Sequence, residues 1–130
     1  MHDTAERGTI LVVDDSPDTL ELIRRNLELA RYVVTTASSV KEAQTLLAER
    51  TFDLVVTDYH MPFASGIDLI RLVRKQHPDT AIIMITGYAS VEGAVEAIKA
   101  GAEEYLSKPF TDDELLTLVD KIFEQRQGKR

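Results

Sequence analysis

Short apolar runs alternate along the chain with longer stretches in which apolar residues recur every three or four positions. Ile10-Leu11-Val12-Val13, Tyr32-Val33-Val34-Thr35-Thr36, Leu54-Val55-Val56-Thr57, Ala81-Ile82-Ile83-Met84-Ile85 and a short run near 104–106 read as five strands. The stretches between them read as helices. Ser16-Pro17 offers an N-cap followed by proline at the first helical position, and Leu20, Ile23 and Leu27 then share one face. Ser39 and Glu42 have capping-box spacing, with Ala43, Leu46 and Leu47 behind them. Met61 to Ser65 is a loop, and Ile67, Ile70 and Val73 mark a third helix that ends before His77-Pro78. An Ala-rich fourth helix is expected over 91–100, with Val91, Val95 and Ile98 inward and Gly101 as its left-handed cap. Thr111 and Glu114 form a second capping box, followed by Leu115, Leu118, Val119 and Ile122.

The order is therefore (βα)5. Near-continuous apolar strands joined by helices point to a parallel sheet covered on both faces, an α/β architecture. Right-handed crossovers restrict the topology strongly. The order expected, 2-1-3-4-5, is the one known for doubly wound, flavodoxin-like sheets of five strands and is carried over from them. The direction of winding reverses between strands 1 and 3, and ligands in such sheets bind beyond the carboxyl ends of the strands at that reversal. Residues 1–8 read as a polar lead-in, 9–124 as one domain, and 125–130 as a polar tail or the start of a linker.

Bulk properties narrow the function classes. The chain has 130 residues, enough for one domain with a real core. Hydrophobic residues make up 44% and charged residues 28%, which is not a disordered composition. A net charge of −7 and a pI near 4.9 disfavour nucleic-acid binding by this segment, since phosphate contacts need clustered Lys and Arg. No cysteine is present, which excludes disulfides, thiolate nucleophiles and cysteine zinc sites and is compatible with a reducing cytoplasm. No apolar stretch approaches the roughly 20 residues that cross a bilayer, and the first residues lack the apolar core of a secretory signal.

The strand ends carry the chemistry. The first apolar run leads into Asp14-Asp15, the third into Asp58, the fourth into Thr86 and the last into Lys108-Pro109. Taken singly, each has an ordinary reading as a cap, a loop acid or a solvated turn. Together, every one of them falls at the carboxyl end of an expected strand. Three acids and one amine leave two unbalanced negative charges, which one Mg²⁺ cancels. An acid in such a site is a metal ligand or a nucleophile, and an aspartyl phosphate is one known covalent product. Lys108 and Thr86 can serve the remaining phosphoryl oxygens.

Four stretches carry a family resemblance: Ile10 to Asp15, Thr57-Asp58-Tyr59-His60-Met61-Pro62 with Gly66, Ile85-Thr86-Gly87, and Tyr105-Leu106-Ser107-Lys108-Pro109-Phe110. Between about 8 and 123 the chain resembles the receiver domain of two-component response regulators. The stretches from Thr86 onward are similar to receivers of NtrC-type activators and of hybrid kinases. The resemblance implies Asp58 as phosphoacceptor and Asp15 as a direct Mg²⁺ ligand. It implies Asp14 as the acid that holds metal-bound water, with Asp58 and the backbone carbonyl of His60 completing the ligands. Thr86 matches the switch hydroxyl, Lys108 the phosphate-pairing amine and Tyr105 the aromatic that turns inward. Pro109 would follow a cis peptide. The implied donor is a sensor histidine kinase or phosphotransfer protein, and the implied role is that of a signalling module, not an enzyme. The implied output face is helix 4, strand 5 and helix 5, a homodimer surface on which Glu92, Glu96, Lys99, Asp120 and Lys121 are exposed candidates. An output domain beyond residue 130 fits the same pattern.

His60 and Tyr88 each lie two residues past a site residue, at positions that in the family flank the phosphoryl group. Bulky side chains there would shield an Asp58 phosphate from water; the alternative is that both point to solvent. Three competing readings are weaker. A haloacid-dehalogenase-type phosphatase needs an Asp-x-Asp spacing that the adjacent Asp14 and Asp15 lack. A flavin carrier needs a phosphate cradle after strand 1, where Asp14-Asp15 would repel the ligand. A pseudo-receiver would lack a site residue, and none is missing.

Overall fold

The computed structural model describes residues 7–61, 65–87 and 91–128. Its elements are β1 (Thr9–Val13), α1 (Pro17–Leu29), β2 (Val33–Ala37), α2 (Val40–Glu49), β3 (Leu54–Asp58), α3 (Gly66–Gln76), β4 (Ala81–Thr86), α4 (Val91–Ala100), β5 (Glu104–Ser107) and α5 (Asp112–Gly128). All strand pairs are parallel, in the order β2-β1-β3-β4-β5. This is the doubly wound (βα)5 sheet expected from the apolar pattern.

Strand alternation divides the core into two layers. Ile10, Val12, Leu54, Val56, Ile83 and Ile85 face α1 and α5, where Leu20, Ile23, Leu27, Leu115, Val119 and Ile122 meet them. Leu11, Val13, Val55, Ile82 and Met84 face α2, α3 and α4. Both faces of the inner strands are therefore buried, which explains why these runs lack polar interruptions.

Local signals act much as the chain suggests. Ser16 Oγ accepts from the Thr19 amide, with Pro17 in the first turn of α1. Thr111 and Glu114 close a reciprocal box, each backbone N–H donating to the other's side chain at 2.8 and 3.0 Å. The Ser39 box is only half formed. Ser39 Oγ accepts from Glu42 N, but the Glu42 carboxylate accepts from Ser38 N instead of Ser39 N. Gly101 has φ of 126°, and Arg74 lies where a side chain at 101 would project.

One helix face departs from expectation. Val95 and Ile98 of α4 are 44% and 50% exposed, while Ala97 is buried. The side chain of Val91 lies outside the described residues. Two apolar stripes run along α4, one of branched residues and one of small ones. The small stripe faces inward because it lets the helix lie close against its neighbours. At the other end of the chain, α5 continues to Gly128, past the point where its apolar period fades. No described helix is long and apolar enough to cross a membrane.

Candidate functional site

Strand register brings the chemistry to one edge. Val13 pairs with Thr57, so Asp14 and Asp58, each one residue further, leave the sheet side by side. Asp58 pairs with Ile85 and Thr86 with Ser107, which sets Thr86 and Lys108 one step along the same rim. The Asp14 amide still bonds to the Ala37 carbonyl at 3.1 Å, and the Lys108 amide to the Thr86 carbonyl at 2.7 Å. These backbone bonds continue the sheet pairing to Asp14 and Lys108.

Asp14, Asp15 and Asp58 each offer a carboxylate oxygen, and these oxygens all lie within 4.8 Å of one another. Asp14 and Asp58 are 2% and 6% exposed, and Asp15 faces solvent. The Lys108 ammonium lies 3.2 Å from Asp14 Oδ2 and 3.4 Å from Asp58 Oδ1. Asp14 Oδ1 accepts from the Ser16 amide at 2.9 Å, so both of its oxygens are engaged.

The electrostatics follow from this crowding. Burial, reinforced by the Asp14 charge, raises the Asp58 carboxyl above the usual carboxylate range, with Lys108 opposing in part. Burial acts to lower the Lys108 ammonium. The facing Asp14 and Asp58 carboxylates outweigh it, and the group is held above the ordinary lysine value. The amine is thus a fixed positive charge at neutral pH. One amine against three acids leaves the hollow electronegative. A cluster built only from carboxylate oxygens suits a hard divalent cation, and it fits Mg²⁺.

The other expected residues lie as follows. Thr86 ends β4 and is buried. Tyr105 is half-buried on β5 and packs against the core layer beneath α2, α3 and α4. The Lys108–Pro109 peptide is cis. His60 is exposed, its ring edge-on to Tyr59 with centroids 4.6 Å apart. Tyr88 lies outside the described residues, as does the side chain of Glu92. Of the residues expected on the output face, Asp120 is engaged elsewhere, while Lys121 is exposed on that face. Half-buried Asp120 accepts from the Tyr32 hydroxyl at 2.6 Å and pairs with Arg7 at 3.0 Å, so it belongs to the α1 side. Lys121 pairs with Glu104 of β5 at 2.8 Å.

Several contacts that shape the site are not legible in the sequence, although Thr57, Tyr59 and Gly66 lie in one of the stretches that carry the family resemblance. The Thr57 hydroxyl, fully buried, donates to the Asp58 carbonyl at 3.1 Å. Gly66 packs against that same carbonyl so closely that a Cβ would lie 2.3 Å from its oxygen. Tyr59 is tied at three points: its amide to the Ile85 carbonyl, its carbonyl to the Gly66 amide, and its hydroxyl to Glu96 of α4 at 3.1 Å. The Glu96 carboxylate that accepts from this phenol raises its pKa.

Residues 10–120 match the family described as the response regulator receiver domain. The chain belongs to that family. It is 42% identical over 113 residues to the response regulator protein PilR of Pseudomonas aeruginosa, covering 87% of this chain and 25% of that protein. Its fold is similar to a CheY-like receiver domain from Methanospirillum hungatei, with a TM-score of 0.90, 30% identity, and coverage of 94% of this chain and 98% of the other. It is also similar to the beryllofluoride-activated NtrC4 receiver domain dimer, with a TM-score of 0.86, 36% identity, and coverage of 91% and 98%. The receiver spans about a quarter of the length of the curated relatives it matches.

Proposed function

We propose that this receiver is a phosphoryl-accepting switch in which Asp58 is the acceptor. One observation carries the reading: three carboxylates gather within 4.8 Å, with the Lys108 ammonium 3.4 Å from Asp58. The donor is a phosphohistidine on a sensor kinase or phosphotransfer protein. An Asp58 carboxylate oxygen attacks phosphorus. A P–O bond forms as the P–N bond breaks, and the imidazole nitrogen leaves with the bonding pair and takes a proton from water. Asp14, Asp15 and Asp58, with the His60 backbone carbonyl, would hold Mg²⁺. When bound, the ion supplies positive charge where an anionic phosphoryl meets a carboxylate.

The remaining roles fall to the chain's own side chains. Lys108 pairs with one phosphoryl oxygen, and the Thr86 hydroxyl donates to another. Thr86 turning toward Asp58 leaves room beside it for Tyr105 to move inward. The phosphoryl group thereby favours one of two packings, and the surface of α4, β5 and α5 changes with it. Exposed Val95 and Ile98 on α4 suit that surface to a second copy of the domain. The greater length of the curated relatives supports an output domain beyond residue 130. In this reading the chain acts in the cytoplasm as a signalling module and does not turn over a substrate.

The test is incubation with Mg²⁺ and acetyl phosphate followed by intact mass. One added phosphoryl is expected, and none on Asp58→Asn. Modification that persists in Asp58→Asn would assign the acceptor elsewhere. Hydrolysis of many phosphoester molecules per chain would favour the phosphatase reading.

A further inference from the structure

The described side chains of α4 bury little apolar surface. Among its described side chains only Ala97 is buried, and its large apolar residues Val95 and Ile98 face outward. Alanine contributes little burial compared with the leucines and isoleucines that anchor α1 and α3. Polar ties therefore have a large share in fixing this helix.

Two such ties differ in kind. At the carboxyl end, Arg74 of α3 donates to the Gly101 carbonyl at 2.7 Å, to the Pro78 carbonyl at 2.7 Å and to Glu103 at 3.1 Å. Glu103 in turn accepts from the Ile82 amide at 2.8 Å, which roots this joint in the sheet. Midway along the helix, a tie of another kind is the hydrogen bond from the Tyr59 hydroxyl to Glu96 at 3.1 Å, in an exposed setting. Tyr59 follows Asp58 directly, and both of its backbone groups are bonded to neighbouring segments. A displacement at Asp58 thus reaches the phenol through one residue.

We propose that the Tyr59–Glu96 bond is a releasable strap and the Arg74–Gly101 joint a fixed hinge, so that α4 swings about its carboxyl end when the strap parts. The strap is a property of the unmodified domain. Its trigger rests on the acceptor reading given above, since a phosphoryl group on Asp58 is what would strain the adjoining residue. The swing turns the face bearing Val95 and Ile98 relative to β5.

Amide hydrogen exchange on the full chain tests this. In Tyr59→Phe without phosphodonor, the amides of 93–97 are expected to exchange at least threefold faster than in the parent. The amides of 100–102 and of the sheet should be unchanged. Glu96→Ala should match it, the double variant should add nothing further, and Glu96→Gln, which keeps an acceptor oxygen, should stay near the parent. Parent-like exchange in Tyr59→Phe, or an increase spread evenly over the whole domain, would overturn the strap. In a second arm the parent is treated with Mg²⁺ and acetyl phosphate, with intact mass confirming one phosphoryl. Exchange at 93–97 should then rise to the Tyr59→Phe level; a modified protein with parental exchange would overturn the trigger. If no phosphoryl is added, the acceptor reading fails, and the unmodified variants still decide the strap.

Discussion

The Asp58 carbonyl oxygen sits 2.3 Å from where a Cβ on residue 66 would be, so Gly66 and Asp58 fix each other's backbone. Gly66→Ala must displace either the first turn of α3 or the peptide that follows the acceptor. The expected result is a loss of about 1–3 kcal/mol of stability, the usual range for overpacking. A slower gain of phosphoryl from acetyl phosphate should accompany it. Urea unfolding and a mass time course check the two effects; normal acceptor kinetics in a destabilised variant would mean that α3 alone absorbs the clash.

Asp58 also sets a pH dependence. Burial and the Asp14 charge raise its folded pKa above the unfolded value. A raised acid pKa favours folding at low pH, and that contribution is lost as pH rises through the folded value. At neutral pH the ionised carboxylate therefore opposes folding. Asp58→Asn in metal-free buffer is expected to raise Tm at pH 7. The gain should shrink toward pH 4. Thermal denaturation at the two pH values is the check, and a gain equal at both would remove charge crowding as the cause.

Lys108 offsets part of the negative charge beside it. Lys108→Ala removes that offset, so Mg²⁺ should bind about three- to tenfold more tightly, from Coulomb attraction over a few ångströms at high dielectric. Phosphoryl gain should nevertheless fall, because one oxygen loses its partner. Calorimetric Mg²⁺ titration separates these opposite effects; weaker metal binding would contradict the charge argument.

Far from the site, Tyr32 donates to Asp120 at 2.6 Å, its ring lies 4.7 Å beneath the Arg7 guanidinium, and Arg7 closes the triangle onto Asp120. Tyr32→Phe should cost about 1.5–3 kcal/mol, the range for a hydrogen bond to a charged group. Phosphoryl gain should be unaffected. Chemical denaturation and the mass assay together distinguish a stabilising clasp from a functional one.

Shielding of the acceptor phosphate predicts that replacing His60 and Tyr88 by alanine shortens its lifetime. Loss of the added mass over time, after removal of donor, measures it directly. An unchanged lifetime would return both side chains to solvent.

The strands are legible in the chain because the inner strands are buried on both faces and leave no polar break between Ile10 and Val13 or between Ala81 and Ile85; their order is carried over from known doubly wound sheets. The acidic hollow is legible for a related reason. Each reactive residue lies at or just beyond the carboxyl end of a strand, and parallel register then brings the ends together. The α4 face is less legible, since two apolar stripes satisfy the same helical period and only tertiary contact selects the small one. The glycine at 66 is legible as part of the motif around Asp58, but its close approach to the Asp58 carbonyl is not. The Tyr59–Glu96 bond leaves no periodic trace, because it joins residues 37 positions apart, a loop to a helix.

The Arg74–Gly101 joint has a consequence for how the chain can vary. The guanidinium stem fills the volume that a larger residue at 101 would claim, with Arg74 Nε only 2.9 Å from a Cβ there. Shortening residue 74 would open that volume but would strip the carbonyls of Pro78 and Gly101 of their donor. Neither position can drift alone without harm, so descendants of this sequence should keep the two together or exchange both in concert.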